Sequence, residues 1–237
     1  MWASSSFGDF SSGEVSVGSI KLEVIEGNST TRWCIPQSPP RIQGIAFRPS
    51  RTVDDAFLAE VDQRAVPHTS PQHYPRWTNV YFQGLVSDLA GAFVCDYHVP
   101  EPKDVDMRRR LLAEAHGGRL GVLDAVELVI ATPDLDAAAA RWQRLLDPLQ
   151  PAAPHLWRPM LGPAIRLVPG SRDQVDHLVL AVRSIIAAQD TWNRVGTGAL
   201  RGFPLRFVER SNTAARCGQR RTLGNCVPGT AGLVVVT

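Results

Sequence analysis

A strand-then-helix unit that recurs along the chain limits the fold more than any other feature. Val175-Asp176-His177-Leu178-Val179-Leu180-Ala181-Val182 is a short apolar run with one histidine near its start, and a helical pattern follows from Ile185 to Val195. Upstream, Ala125-Val126-Glu127-Leu128-Val129-Ile130-Ala131 repeats the pattern of Val175 to Ala181. Thr132-Pro133-Asp134 then stops the strand and starts a helix. Leu135, Ala138, Trp142 and Leu145-Leu146 fall on one apolar face of that helix. A looser copy runs from Ile42-Gln43-Gly44-Ile45-Ala46-Phe47-Arg48 into Thr52-Val53-Asp54-Asp55, with Thr52 as the expected N-cap. Self-similar units of this size bury their apolar faces against one another, so the repeat predicts the architecture.

A second kind of strand recurs. Leu22-Glu23-Val24-Ile25-Glu26 and Leu205-Arg206-Phe207-Val208-Glu209 share their spacing, and Ile165-Arg166-Leu167-Val168-Pro169 is a third copy without the final acid. Strands are also expected at 78–85, 92–98 and 155–159, and a last one at 232–236. A short helix is expected over 107–115, after a linker at 100–106. Residues 1–13 are Gly/Ser-rich and are expected to be poorly ordered. The stretch 211–230 is polar, basic and irregular.

The 237 residues are 44% hydrophobic, enough for one large or two small domains. A net charge of +2 implies no broad attraction to nucleic acid or an anionic membrane. No apolar run reaches the ~18 residues that cross a bilayer, and the N-terminus has no basic region followed by an apolar one. Cys34, Cys95, Cys217 and Cys226 are scattered, which suits a reduced, cytoplasmic protein. GxSxG, HExxH and Gly-rich phosphate-loop motifs are absent. Trp77, Tyr81, Trp142 and Trp157 are expected to pack in the interior, and Arg108-Arg109-Arg110 to form a solvated helix face.

Strand, helix and then further strands ending in the second strand type make a βαβββ module. The chain resembles the vicinal oxygen chelate superfamily, the glyoxalase, bleomycin-resistance and extradiol dioxygenase group, and is most similar to its glyoxalase-like domain proteins. The best local matches are 123–146 and 175–192. The resemblance implies an α+β fold of tandem βαβββ modules, whose mixed sheets curl around a cavity. It divides the chain into an N-terminal half at 1–105 and a C-terminal half at 106–237, with an irregular tail from about 211. Glu14 to Glu26 reads as the closing part of a module whose start is absent. The chain is then a piece of a longer one, or a partner subunit, as in a homodimer, completes it.

In this family, metal ligands come from the first and last strands of the modules. The resemblance therefore gives His177 the first-strand position of the last module, Glu127 the equivalent place in the preceding one, and Glu209 the last-strand carboxylate. Leu205, Phe207 and Glu209 share one face of their strand. One imidazole and two carboxylates would suit Fe, Mn, Zn or Ni and leave positions for two vicinal substrate oxygens. Glu127 or Glu209 could also shuttle a proton. Departures from the family pattern are Glu127 where histidine is usual, Pro169 where a ligand would stand, and Gly44 in the first-strand position of the Ile42 unit. The implied function is a divalent-metal-dependent lyase, isomerase or dioxygenase acting on a small oxygenated molecule. The alternatives are a non-catalytic protein that sequesters a small molecule, and a truncated inactive product.

Overall fold

The computed structural model describes residues 2–7, 10–27, 42–86, 91–98, 105–195, 203–210 and 230–236, with side chains given outside 2–12, 24–27, 195 and 230–236. Cys34, Cys217, Cys226, the start of the linker at 100–104 and most of the irregular tail lie outside these residues.

The chain opens with three strands, β1 (Trp2–Phe7), β2 (Phe10–Val17) and β3 (Ile20–Gly27). Residues 2–7 and 10–13 are thus strand and not irregular chain. Their Gly/Ser composition carries no alternation, but ladder hydrogen bonds along β2 organise them. β4 (Ile42–Arg48) leads into α1 (Asp55–Gln63), then β5 (Gln72–His73), β6 (Trp77–Phe82) and β7 (Gly91–Tyr97). The N-cap of α1 is Asp54 and not Thr52: its carboxylate accepts from Phe57 N at 2.8 Å. After α2 (Val105–Glu114) come β8 (Val122–Thr132) and α3 (Leu135–Leu146), which Asp134 caps by accepting from Ala137 N. The remaining elements are β9 (Leu156–Trp157), β10 (Ala164–Pro169), β11 (Gln174–Val182), α4 (Ile185–Val195), β12 (Leu205–Glu209) and β13 (Thr230–Val236).

These strands form two mixed sheets, so the fold is α+β. One sheet has the order β1-β2-β3-β13-β4-β7-β6-β5, the other β12-β11-β8-β10-β9. Their centres are built alike. β13 and β4 pair antiparallel, as do β11 and β8. Each central pair is flanked by a parallel strand on either side, β3 and β7 in the larger sheet, β12 and β10 in the smaller. The last strand of the chain does not join the end of the smaller sheet beside β12. It enters the larger one between β3 and β4.

Alternation along the strands decides which side faces the core. Leu128, Ile130, Ile165, Leu178, Leu180 and Val182 are at most 1% exposed and share one side of the smaller sheet. They form one apolar cluster with Ala138 and Trp142 of α3 and Ala188 of α4. The cluster extends into the larger sheet, where Phe47 of β4 lies 6.2 Å, centroid to centroid, from Trp142. Trp142 and Trp157 are buried, in keeping with a packing role. On the other side of the larger sheet, Ala46, Tyr81, Phe93 and Cys95 form a separate cluster, against which Trp77 and Tyr97 pack.

One polar tie fastens the two sheets together. The turn between β2 and β3 places Ser19 N 2.7 Å from Asp124 Oδ1 and Ser19 Oγ 3.2 Å from the Ala125 carbonyl of β8. Gly18 at this turn has a φ of +75°, and a Cβ there would collide with Asp124 Oδ1. The other carboxylate oxygen accepts from Arg109 Nε at 3.1 Å. Arg108 is 5% exposed and sends its guanidinium toward the Ser19 carbonyl. The arginine run of α2 is therefore not a solvated face: Arg108 and Arg109 hold this junction. Asp124→Ala should lower the unfolding free energy by about 2–3 kcal/mol in denaturant titration, because Ser19 N and Arg109 lose a charged acceptor in a shielded place. Asp124→Asn, which keeps one acceptor, should lose less.

Candidate functional site

The side of the smaller sheet opposite the helices carries the polar residues. β8 and β11 pair so that Leu128 stands opposite Leu178, Glu127 opposite Val179, and Val129 opposite His177. Glu127 and His177 are thus diagonal neighbours, one step on either side of the Leu128–Leu178 pair. Side chains at such positions stand roughly 7–8 Å apart on the same face. The bulge at Asp176 contributes to this arrangement: the register slips between Val175 and His177, so Val175 stays in the core while His177 turns to the opposite side.

The parallel flanking strands add one arginine each. Arg166 of β10 stands beside Val129, and Arg206 of β12 beside Val179. Glu127, His177, Arg166 and Arg206 therefore share one face, over a floor made by Val129 and Val179, both buried. Arg166 holds Glu127 with two parallel contacts, Nε to Oε1 at 2.6 Å and a terminal nitrogen to Oε2 at 3.0 Å. This fork is the strong geometry for guanidinium and carboxylate. The hydrogen bond to Glu127 raises the Arg166 pKa above its ordinary value, and the opposite charge adds to it against the cost of burial.

His177 is only 8% exposed, and its Nδ1 lies 2.6 Å from Asp176 Oδ2. A carboxylate at Nδ1 fixes the ring and leaves Nε2 as the nitrogen open to a ligand. Among the described residues, Nε2 has no hydrogen-bond partner. A shielded imidazole with one free nitrogen can accept or donate a proton to a bound molecule.

Glu209 is elsewhere. It shares a face with Leu205 and Phe207 as its spacing predicts, but that is the helix-bearing face. There it stands beside Val182 and is exposed. β12 is the edge strand of its sheet, so no inner strand displaces Glu209; its phase alone sets it apart from His177 and Glu127. The three residues do not form one ligand set. Among the described residues, no group of three or more His, Cys, Asp or Glu side chains is gathered where it could hold a metal ion. Glu127, clamped by Arg166, is also a poorer cation ligand than a free carboxylate. In the larger sheet, Gly44 takes the place that His177 has in the smaller one and supplies no side chain. Asp96 is occupied locally, accepting from Val53 N at 2.8 Å, and His98 and His73 both meet the Thr78 hydroxyl.

Sequence reasoning passed over Arg166 and Arg206. Their signal is the shared offset in the recurring strand, Ile165-Arg166 and Leu205-Arg206. Each arginine follows the residue that packs beneath the Leu128–Leu178 pair and so points to the other side.

No family model matches the chain, and no curated protein matches it. Among solved structures, it is similar to the crystal structure of a hypothetical protein from Staphylococcus aureus. The two are 10% identical and superpose with a TM-score of 0.54, over 88% of this chain and 90% of that one. The likeness shows a shared fold that extends through both sheets.

A double-mutant cycle on Glu127→Gln and Arg166→Met should give a coupling of about 1 kcal/mol or less in chemical unfolding. The ion pair is partly open to water, Arg166 being 38% exposed, and water screens it.

Proposed function

We propose that this chain is a glyoxalase-like, small-molecule-binding protein whose ligand sits on the β8–β11 face and is rich in oxygen atoms. One observation carries the reading: the strand register sets His177, Arg166 and Arg206 on one face with Val129 and Val179, and Glu127 is the only carboxylate of the four polar residues. An imidazole and two guanidinium groups favour oxyanions, and the fork of Arg166 suits a carboxylate. A ligand carboxylate can compete with Glu127 for that guanidinium.

In this reading the units are βαβββ modules, complete or reduced. β4, α1, β5, β6 and β7 make one with strand order β4-β7-β6-β5. The halves at 1–105 and 106–237 each contribute a sheet, and β13 returns to complete the first. No helix among the described residues is long and apolar enough to cross a membrane. Cys95 is buried and forms no disulfide with a described residue. A cytoplasmic protein fits both observations.

A divalent-metal enzyme is the second reading, favoured by His177 and Glu127 sharing a face. It requires Glu127 to leave Arg166 and a third donor from beyond the described residues.

Calorimetry with oxalate, a small molecule with vicinal oxygens, separates the two. Binding by the metal-free protein, weakened about tenfold by His177→Ala and again by Arg206→Ala, supports the first reading, since a charge-assisted hydrogen bond lost at each step is worth that much. No saturable binding at millimolar oxalate would overturn it. Stoichiometric metal in the purified protein, lost in both His177→Ala and Glu127→Ala, would favour the second.

A further inference from the structure

Away from the β8–β11 face, two histidines meet at one point in the larger sheet. β5 pairs with β6 so that His73 stands opposite Thr78, and β6 pairs with β7 so that Asp96 stands on the other side of Thr78. Residues opposite one another across a ladder share a face. His98 comes two positions after Asp96 and so takes the same face, and its main-chain N–H bonds to the Arg76 carbonyl at 3.0 Å. An imidazole, a hydroxyl and a carboxylate thus stand in a row across three strands, with a second imidazole beside them. Thr78 is buried, whereas both histidines are exposed.

Both rings address the Thr78 hydroxyl. His73 Nδ1 lies 3.1 Å from Oγ1, and His98 Nε2 lies 2.9 Å from it. A hydroxyl has one hydrogen, so it donates to one neutral ring and accepts from the other. One of the two nitrogens is therefore already a bare lone pair. The other becomes one when its ring moves the hydrogen to the far nitrogen. Neither far nitrogen, His73 Nε2 or His98 Nδ1, has a hydrogen-bond partner among the described residues. Presenting two lone pairs at one point costs only a hydrogen bond to Thr78.

The spacing suits a shared ion. With a tetrahedral angle at Oγ1, the two nitrogens are about 5 Å apart. A tetrahedral ion with metal–nitrogen bonds of about 2.0–2.1 Å holds them about 3.4 Å apart. Exposed rings close that gap by turning about their side-chain torsions, with the strands in place. Asp96 accepts from Val53 N through Oδ2 at 2.8 Å. Its Oδ1 has no partner among the described residues and is available to a water molecule bound to the ion.

We propose that His73 and His98 form a site for one divalent ion of the zinc, nickel and copper class. The two imidazoles are its protein ligands, and water fills the other positions. Imidazole selects these ions over magnesium and calcium, which take oxygen ligands. The site uses β5, β6 and the end of β7 and none of the residues on the β8–β11 face, so it does not depend on what that face binds.

The test is titration of the metal-free full chain with zinc, followed through the histidine ring signals in NMR. The His73 and His98 rings should shift together and saturate at one ion, while magnesium at the same concentration shifts neither. His73→Gln and His98→Gln should each weaken the zinc affinity read at the remaining ring by about tenfold or more, because one imidazole alone does not close the chelate. Glutamine keeps a hydrogen bond to Thr78, and His73→Ala or His98→Ala serves where a glutamine variant does not fold. His177→Ala should leave the affinity read at these two rings unchanged. A shift of one ring without the other, unchanged affinity in the His73 and His98 variants, an equal response to magnesium, or no saturable shift at millimolar zinc would overturn the proposal.

Discussion

The antiparallel pairing of β8 with β11 is the contact on which the structure depends. Leu128 opposite Leu178 anchors it on the core side, where both are 1% exposed or less. Apolar burial on this scale is worth about 1.5–3 kcal/mol for each such side chain. A slip by one residue would turn that whole row to the other side and bring Glu127 and His177 into the core. The leucine row therefore fixes the register, and the register in turn fixes which polar residues meet. In the larger sheet the same design recurs, with β13 and β4 as the central pair. There the chain departs from sequential order, because the strand that pairs with β4 comes from its C-terminal end.

Polar chemistry enters through the side of the sheet left free by the helices. Val129 and Val179 are buried on that side too, and Glu127, Arg166, His177 and Arg206 stand around them. Arg166 and Glu127 neutralise each other, which makes a partly shielded carboxylate tolerable on a strand. Asp176, at the adjacent bulge position, gives His177 Nδ1 a hydrogen-bond partner. The result is a face that gathers two arginines, a histidine and a glutamate over the apolar Val129 and Val179. The Asp124 tie stands at the other end of β8 and joins this sheet to the β2–β3 turn.

Much of this was legible in the sequence. The strands around Leu128 and Leu178 and the helices after them follow from apolar period and from the stop signal at Thr132-Pro133-Asp134. The offset that aligns Glu127 with His177 turned out to be the local two-fold relation across the central pair. Other features were not legible, for identifiable reasons. β1 and the start of β2 lack alternation, so no local pattern announces the ladder that joins them. Position β13 depends on a pairing with a strand about 190 residues earlier in the chain, beyond the reach of local pattern. Glu209 was given the right phase but not the right side: alternation shows which residues share a face, and only packing shows which face meets the helices. Arg108 looked like solvated charge because a run of three arginines hides the one that faces inward.

The central claim is that the β8–β11 register sets His177 and Glu127 on one face, away from Glu209. Nuclear Overhauser contacts of the His177 ring test it directly in a methyl-labelled sample. The structure predicts contacts from the ring to the Val129 and Val179 methyl groups. Contacts from the ring to Leu128, Leu180 or Val182 would put His177 on the helix-bearing side with Glu209 and contradict the account.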